Sequence, residues 1–562
     1  MRISPTMSSP CWAGSSSSAT PATKWSDTST SATTPSMTSH ATTMPPPRSL
    51  AAASTCPWLS CSGSRRRVRS NRAMPSIYIQ TYGCQMNEAD SERVLRGALA
   101  LGYRAAEHPE DASVLVLNTC TVRDNAEARA YGRIGQWKAL KAQDPAVRLV
   151  VMGCLAEQDR DVMPGKVPYV DAIFGTREID AVVARLAQWR DNFVDGDDGG
   201  EDRLAALEGY GTVRHDDAHA DPRWNKLRAF VTVQQGCSYY CTFCIVPMVR
   251  GRFEDRTVEA VMADLRERLD RGAREVMLVG QTVNHYHCPQ TGARFADLLE
   301  LVAAEERVER LTFISPHPND FDEHTFQVMG QIGKLNQRLH LPLQSASNAV
   351  LKRMNRKYTI ERYREQVALF RKYCRGWALT TDLIVGFPGE SEEMFEETLA
   401  FVNEGTFQNG YTFIYSPRRG TQAAQWSDQF VDPAVAGVRL RRLAEAQDRL
   451  TRAYHRSLVG TTQRALIVGP SKKDPERYAT KIGQNVTVIV PKQSLDNPWL
   501  DVRIDKAYTW GTLGTVLGTA AHAAAPARAV AHLLPPLEGG GVPDEGPVVF
   551  DTVPREAAAQ PR

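Results

Sequence analysis

The chain has 562 residues, 42% of them hydrophobic and 23% charged, with a formal net charge of +3. At about 100–200 residues per domain, this length predicts three or four domains with cores of their own. No apolar run approaches the ~18 residues of a membrane helix, and the composition excludes a small disulfide scaffold, a coiled coil and a wholly disordered chain.

Residues 1–73 carry eight Lys/Arg against one acid, Asp27, so the charge of +3 hides a basic front segment and a slightly acidic remainder. The front segment is rich in Ser, Thr, Pro and Ala, with runs such as SSSSAT and TSTSATTPS. Such composition buries too little apolar surface to fold, and it lacks the apolar stretch of a secretory signal. Met74 opens MPSIYIQTYGC, where a strand pattern begins at once, and reads as the true start of the protein. The alternative is a basic, disordered tail that touches nucleic acid.

From Ile77 to about Trp189, the apolar runs SIYIQTY, SVLVLNT, RLVVMG and VDAIFG alternate with helical stretches such as SERVLRGALALGY and EIDAVVARLAQW. That alternation predicts an α/β domain over residues 75–190, a doubly wound parallel sheet. Residues 191–226, with DNFVDGDDGGEDRL, read as an exposed linker. A second alternation occupies residues 227–458, with candidate strands RAFVTVQQ, EVMLVG, RLTFIS, RLHLPL, LTTDLIVG and GYTFIY. Six βα units in a row predict a partial (βα)6 barrel whose active site lies at the carboxyl ends of its strands. Over residues 459–518, short alternating runs separated by Gly predict a small β-barrel. Residues 451–510 carry ten Lys/Arg against five Asp/Glu. Residues 519–562 are Ala-, Pro- and Gly-rich and are expected to be disordered.

Eight cysteines follow Met74, and a long chain without a signal peptide points to a reducing compartment, where Cys groups bind metal or catalyse. Cys237, Cys241 and Cys244 form a C-x3-C-x2-C array directly after the strand RAFVTVQQ. Three thiolates on one loop can hold three irons of a four-iron cubane and leave the fourth open to a chelating substrate. The competing reading is a structural zinc site or buried core thiols, but zinc favours paired cysteines with a second pair, and none follows nearby. Cys84, Cys120 and Cys154 are far apart in sequence, yet each ends a predicted strand. A parallel sheet gathers those strand ends on one edge, so a second three-Cys cluster competes there with three unrelated buried thiols. Cys288 and Cys374 have no partners at ligand spacing and read as structural.

The ordered set of motifs resembles the radical-SAM methylthiotransferases over about residues 75–518. It comprises YIQTYGCQMNEADSE (78–92), NTCTVRDNAE (118–127), VMGCLAEQ (151–158) and QQGCSYYCTFCIVPMVRGRFEDR (234–256). HLPLQSAS (340–347), LKRMNRKYT (351–359), DLIVGFPGE (382–390) and YSPRRGTQA (415–423) complete it. The resemblance implies two [4Fe-4S] clusters, a radical-generating one on Cys237, Cys241 and Cys244 and an auxiliary one on Cys84, Cys120 and Cys154. It also implies two molecules of S-adenosylmethionine. One methylates a sulfur of the auxiliary cluster; the other yields the radical that takes hydrogen from carbon 2 of an adenine, where the methylthio group is transferred. GCQMN with the adjoining ADSE resembles the branch acting on N6-dimethylallyladenosine beside the anticodon of tRNA. The sister branches act on threonylcarbamoyladenosine in tRNA or on a ribosomal-protein aspartate. Residues 459–518 resemble a TRAM domain that grips tRNA. Ala346, Phe253 and Asp255 depart from residues usual in the family. The family implies a flavodoxin- or ferredoxin-like electron donor, a cytoplasmic location, no membrane and a monomer. Two readings from other classes are an iron–sulfur electron carrier and a zinc-stabilised RNA-binding module.

Other candidates sit at predicted strand ends. Gln281 and Asn284 could reach bound S-adenosylmethionine, or cap their loop. Asp382 and Gly386, with Pro388, could shape a turn that adenine approaches closely, or serve turn geometry alone. His317 and His340 read as satisfied polar residues. Arg250 and Arg252 could meet a tRNA phosphate or a carboxylate, or form a solvated basic turn.

Overall fold

The computed structural model describes residues 74–121, 124–190, 227–492 and 497–520. The front segment, the acidic linker and the tail beyond residue 520 lie outside the described residues.

The first module is a five-stranded parallel sheet: β1 (Ser76–Thr81), β2 (Arg104–Ala105), β3 (Val114–Thr119), β4 (Arg148–Gly153) and β5 (Ala172–Phe174), in the order β2-β1-β3-β4-β5. Strand alternation sends Val114, Val116, Val150 and Met152 to one face, where they pack on the helices Gln85–Ala100 and Ile179–Arg190. Leu115, Leu117, Leu149 and Val151 pack on the other face against Ile134 and Trp137 of the helix Asp124–Gln143. Both faces are therefore covered, as a doubly wound sheet requires. The sequence places the first helix from Ser91; it begins at Gln85, with Cys84 as its N-cap.

The second module holds six parallel strands in chain order: β6 (Arg228–Thr232), β9 (Glu275–Val279), β10 (Arg310–Phe313), β11 (Arg338–His340), β12 (Ala378–Val385) and β13 (Asn409–Ile414). They form two three-stranded sheets rather than one, and a bridge from Leu311 to Leu335 links the halves. A single core unites them, running from Val231 and Leu278 through Leu311 and Leu339 to Leu383 and Val385. Between β6 and β9, an antiparallel pair, β7 (Gln234–Gln235) and β8 (Glu254–Asp255), closes the excursion that carries the C-x3-C-x2-C array.

After the 25-residue helix Pro433–Ser457, five strands close into a barrel: β14 (Thr462–Pro470), β15 (Arg477–Ile482), β16 (Thr487–Pro491), β17 (Trp499–Tyr508) and β18 (Gly511–Thr519). It sits at the amino ends of the second module's strands. Arg228, Glu275, Arg310 and Arg338 are the first residues of β6, β9, β10 and β11. Arg310 donates to the carbonyls of Lys481 and Ile482, and Trp499 donates its indole N–H to Glu309. Burial, together with Arg338, Arg228 and Arg310, pushes the Lys481 amine down to about 8.

That seat makes stability pH-dependent with a definite sign. The folded Lys481 value lies below the ordinary lysine value, so the unfolded chain binds more protons between the two. The destabilisation is full below about 8 and fades as pH rises. Between about pH 7.5 and about pH 9.5, the wild type should gain about 2 kcal/mol relative to Lys481→Met in urea unfolding. An unchanged difference would show that this charge is not confined.

Candidate functional site

The first three cysteines meet because their strands are in register. Thr81 pairs with Asn118, and Thr119 with Gly153. Cys84, Cys120 and Cys154 therefore leave neighbouring strands at one edge, Cys84 exposed and the other two buried. Asn87 ties these turns together. Its Nδ2 donates to Asn118 Oδ1 at 2.8 Å and to the Thr119 carbonyl at 3.1 Å, and its Oδ1 accepts from Cys84 Sγ at 3.4 Å. Asn118 in turn donates to the Asn87 carbonyl and to Ser91 Oγ. Both asparagines lie inside the quoted motifs, but only the paired strands show that they meet.

Cys237, Cys241 and Cys244 lie on the loop between β7 and the helix Val246–Arg250. Gly236 opens this loop at φ +77°, where an added Cβ would lie 2.0 Å from the Arg252 carbonyl oxygen. The Gly236 N–H donates to Gln281 Oε1, and the Cys237 N–H to the Gly251 carbonyl. Cys237 Sγ lies 3.4 Å from Thr282 Oγ1. Arg356 Nη1 donates to Cys241 Sγ at 3.3 Å; the sequence quotes this arginine in LKRMNRKYT without a role. Burial pushes the Cys237 thiol up, and pushes Cys244 up to about 12. Tyr240, Ser315, Gln344 and Asn355 have positive φ, all on this loop, at strand ends or in the turn packed on it. Such strain clusters where surrounding structure fixes a site.

The two sets are neighbours. Cys154 packs in one cluster with Ile245 and Val249, the first of which follows Cys244 directly. Thr176 and Arg177 of the first module donate to the carbonyls of Val249 and Arg250. Arg250 is 2% exposed, and its Nη2 donates to Asp90 Oδ2 at 2.9 Å. It is neither a solvated turn nor a contact for tRNA phosphate; Arg252, its neighbour, is exposed. Burial opposes the Arg250 charge, but Asp90 and the sulfurs of Cys154 and Cys84 outweigh it and hold the guanidinium protonated.

Among the described residues, no three His, Cys, Asp or Glu side chains converge on one ion position. A cubane asks for one thiolate per iron instead, with charge around it. Both sets fit that demand: Arg356 donates to one cysteine sulfur, and Arg250, whose Nη1 is buried without a well-directed hydrogen bond, follows Val249, which packs on Cys154.

The remaining candidates take up local partners. Asn284 is buried and clamps the His317 backbone, donating to its carbonyl and accepting from its N–H. Gln281 holds the loop at Gly236. Asp382 Oδ2 lies 3.3 Å from His340 Nε2. Gly386, at φ +69°, leaves room for Ala436, and its N–H donates to Glu390. His317 stacks on Tyr239 with ring centroids 3.9 Å apart. Cys288 and Cys374 are buried in the core of the second module.

Gly153 tests how tightly the first edge is built. Its φ is +97°, and an added Cβ would lie 2.3 Å from Asn118 Oδ1 and 2.6 Å from the Thr119 carbonyl oxygen. Gly153→Ala should cost about 2–4 kcal/mol in chemical denaturation, from the left-handed backbone and the overpacking together. Gly135→Ala, where nothing lies within 4 Å, should be neutral or slightly stabilising. Equal effects at both positions would refute the close approach.

Comparisons with known proteins agree with this architecture. Residues 231–402 match the radical SAM superfamily, and residues 76–175 match the uncharacterized protein family UPF0004. The tRNA-2-methylthio-N(6)-dimethylallyladenosine synthase of Moorella thermoacetica is 39% identical over 443 residues, covering 78% of this chain and 98% of that protein. The protein of the same name from Citrifermentans bemidjiense is 37% identical over 429 residues, covering 76% and 95%. Among solved structures, the radical S-adenosylmethionine methyltransferase TsrM of Kitasatospora setae aligns with a TM-score of 0.44 and 13% identity, over 63% of this chain and 74% of that one. No helix among the described residues is long and apolar enough to cross a membrane. With both modules matched and relatives above one-third identity covered almost end to end, the chain belongs to the radical-SAM methylthiotransferase family, among the tRNA-2-methylthio-N(6)-dimethylallyladenosine synthases.

Proposed function

We propose that this protein adds a methylthio group to carbon 2 of N6-dimethylallyladenosine in tRNA. The cofactors of its family are [4Fe-4S] clusters and S-adenosylmethionine. We assign Cys237, Cys241 and Cys244 to the radical-generating cluster and Cys84, Cys120 and Cys154 to the auxiliary one. One observation carries the reading: Cys154 and Ile245, the residue after Cys244, share a packing cluster, which supports placing the two cysteine sets side by side. When bound, these groups supply the radical and the methylthio group.

The chain's own residues hold and screen both sets. Asn87 and Asn118 fix the turns of one set, and Gln281 and Thr282 fix the loop of the other. Arg356 donates to a cysteine sulfur and keeps positive charge beside it. The target C–H is too weakly acidic for a side-chain base, which is why a radical route suits this substrate. The C-terminal barrel, with its local basic surplus, is assigned to tRNA phosphates. The electron is assigned to a flavodoxin- or ferredoxin-like donor, and the protein to the cytoplasm as a monomer. Gln281, Asn284, Asp382 and Gly386, all at strand ends, are assigned to the S-adenosylmethionine site.

Total tRNA from a strain lacking this protein should lose 2-methylthio-N6-dimethylallyladenosine and accumulate the unthiolated nucleoside by mass spectrometry. The wild-type gene should restore it; Cys→Ala at any of the six cysteines should not. An unchanged nucleoside would move the substrate to threonylcarbamoyladenosine or a ribosomal protein. In the purified, anaerobically reconstituted protein, Cys→Ala at all three residues of either set should remove about half the iron. A colourless protein that binds zinc instead would overturn the cluster assignment.

A further inference from the structure

Arg250 is placed unlike an ordinary interface arginine. It belongs to the helix that follows the radical loop, yet its side chain reaches into the first module, where Asp90 takes one donor. Asp90 is itself 6% exposed. A buried pair of this kind costs desolvation on both sides and is weak evidence for stability alone. A buried guanidinium N–H left without a partner adds a further cost. Nη1 is such a group. Val249, the residue before Arg250, packs on Cys154, and besides Asp90 the sulfurs of Cys154 and Cys84 favour the arginine's charge, that of Cys154 also through a hydrogen bond.

We propose that Arg250 is a positioning residue of the auxiliary site: Asp90 fixes its guanidinium, and its free Nη1 donates to the anionic iron–sulfur group that Cys84, Cys120 and Cys154 hold. The proposal rests on the assignment of those cysteines made above. A positive charge fixed beside the site favours the more negative, reduced state and so raises the reduction potential. It also makes assembly of the auxiliary site depend on docking of the helix Val246–Arg250, because that helix delivers the arginine. Thr176 and Arg177 hold the same helix through its carbonyls, so the charge arrives only when the two modules are seated.

The test uses the full chain with Cys237, Cys241 and Cys244 changed to Ala, so that one site reports. Iron and sulfide content and an EPR-monitored redox titration are compared for Arg250, Arg250→Lys, Arg250→Met and Asp90→Asn. Arg250→Met should shift the potential to more negative values and retain less iron through gel filtration. Arg250→Lys should shift it less, since the charge remains. Asp90→Asn should shift it the other way, because a negative charge is lost while the arginine stays. A strut that merely joins the modules would move neither potential. Full iron with unchanged potentials in Arg250→Met and Asp90→Asn overturns the proposal and leaves the cysteine assignment intact. If Arg250→Met does not fold, the opposed shifts expected of Arg250→Lys and Asp90→Asn decide alone, and their absence overturns it. No iron in the parent variant overturns the cysteine assignment and this proposal with it.

Discussion

The packing of the Cys154 turn against the 245–250 segment is the contact on which the site depends. Each parallel sheet gathers its own strand ends on one edge, but neither sheet alone brings the two cysteine sets beside each other. That requires the two edges to meet, and they meet where Cys154 touches Ile245 and Val249. The surrounding bonds hold this seam: Thr176 to Val249, Arg177 to Arg250 and Arg252, and Arg419 to the Gln158 carbonyl. On the flank, Met86 and Ala89 pack on Phe230 and Val279, so the first helix lies against β6 and β9. A shift of this seam would move one set of cysteines relative to the other while leaving each fold intact.

Charge follows the same seam. Burial pushes the thiols of Cys154, Cys237 and Cys244 up. A thiolate is needed to bind iron, so positive charge must offset that burial. Arg250 lies beside Cys154 of one set, and Arg356 donates to Cys241 of the other. Burying the Arg250 guanidinium costs free energy that a surface ion pair would not. The cost is concentrated where charged ligands must gather.

Much of this was legible in the sequence because it depends on local periodicity. The apolar runs RLVVMG and its neighbours set the strands, and cysteines at or just past the ends of three of them placed the first set on one edge. What was not legible depends on pairs far apart in the chain. Arg250 reads as a basic turn until Asp90, 160 residues earlier, is seen beside it. Asn284 at a strand end offers polar atoms to a ligand, but the His317 backbone takes both. The separation of six strands into two sheets escapes the pattern as well, because the short β11 pairs with β12, while β10 pairs with β9 and reaches the other sheet's side only through its bridge to Leu335. Arg356 lay inside a quoted motif, yet nothing in its spacing assigns it to Cys241.

The position of the C-terminal barrel constrains what the substrate can be. The cysteine loop follows the carboxyl end of β6, whereas the barrel seats on Arg310 and Glu309 at the amino end of β10. These strands are four to six residues long in β6, β9, β10 and β13, which at about 3.3 Å per residue separates the two edges by roughly 13–20 Å. A free nucleoside at the cysteines could not also touch the barrel. A polymer could, by passing along the outside of the second module. On the proposed assignment of the barrel to tRNA phosphates, it would add affinity only for a substrate long enough to reach it. Tethering of this kind raises the local concentration of the target base without any contact to that base. The proposed assignments thus put recognition of the polymer and recognition of the base at opposite ends of these short strands, where only a macromolecular substrate could engage both.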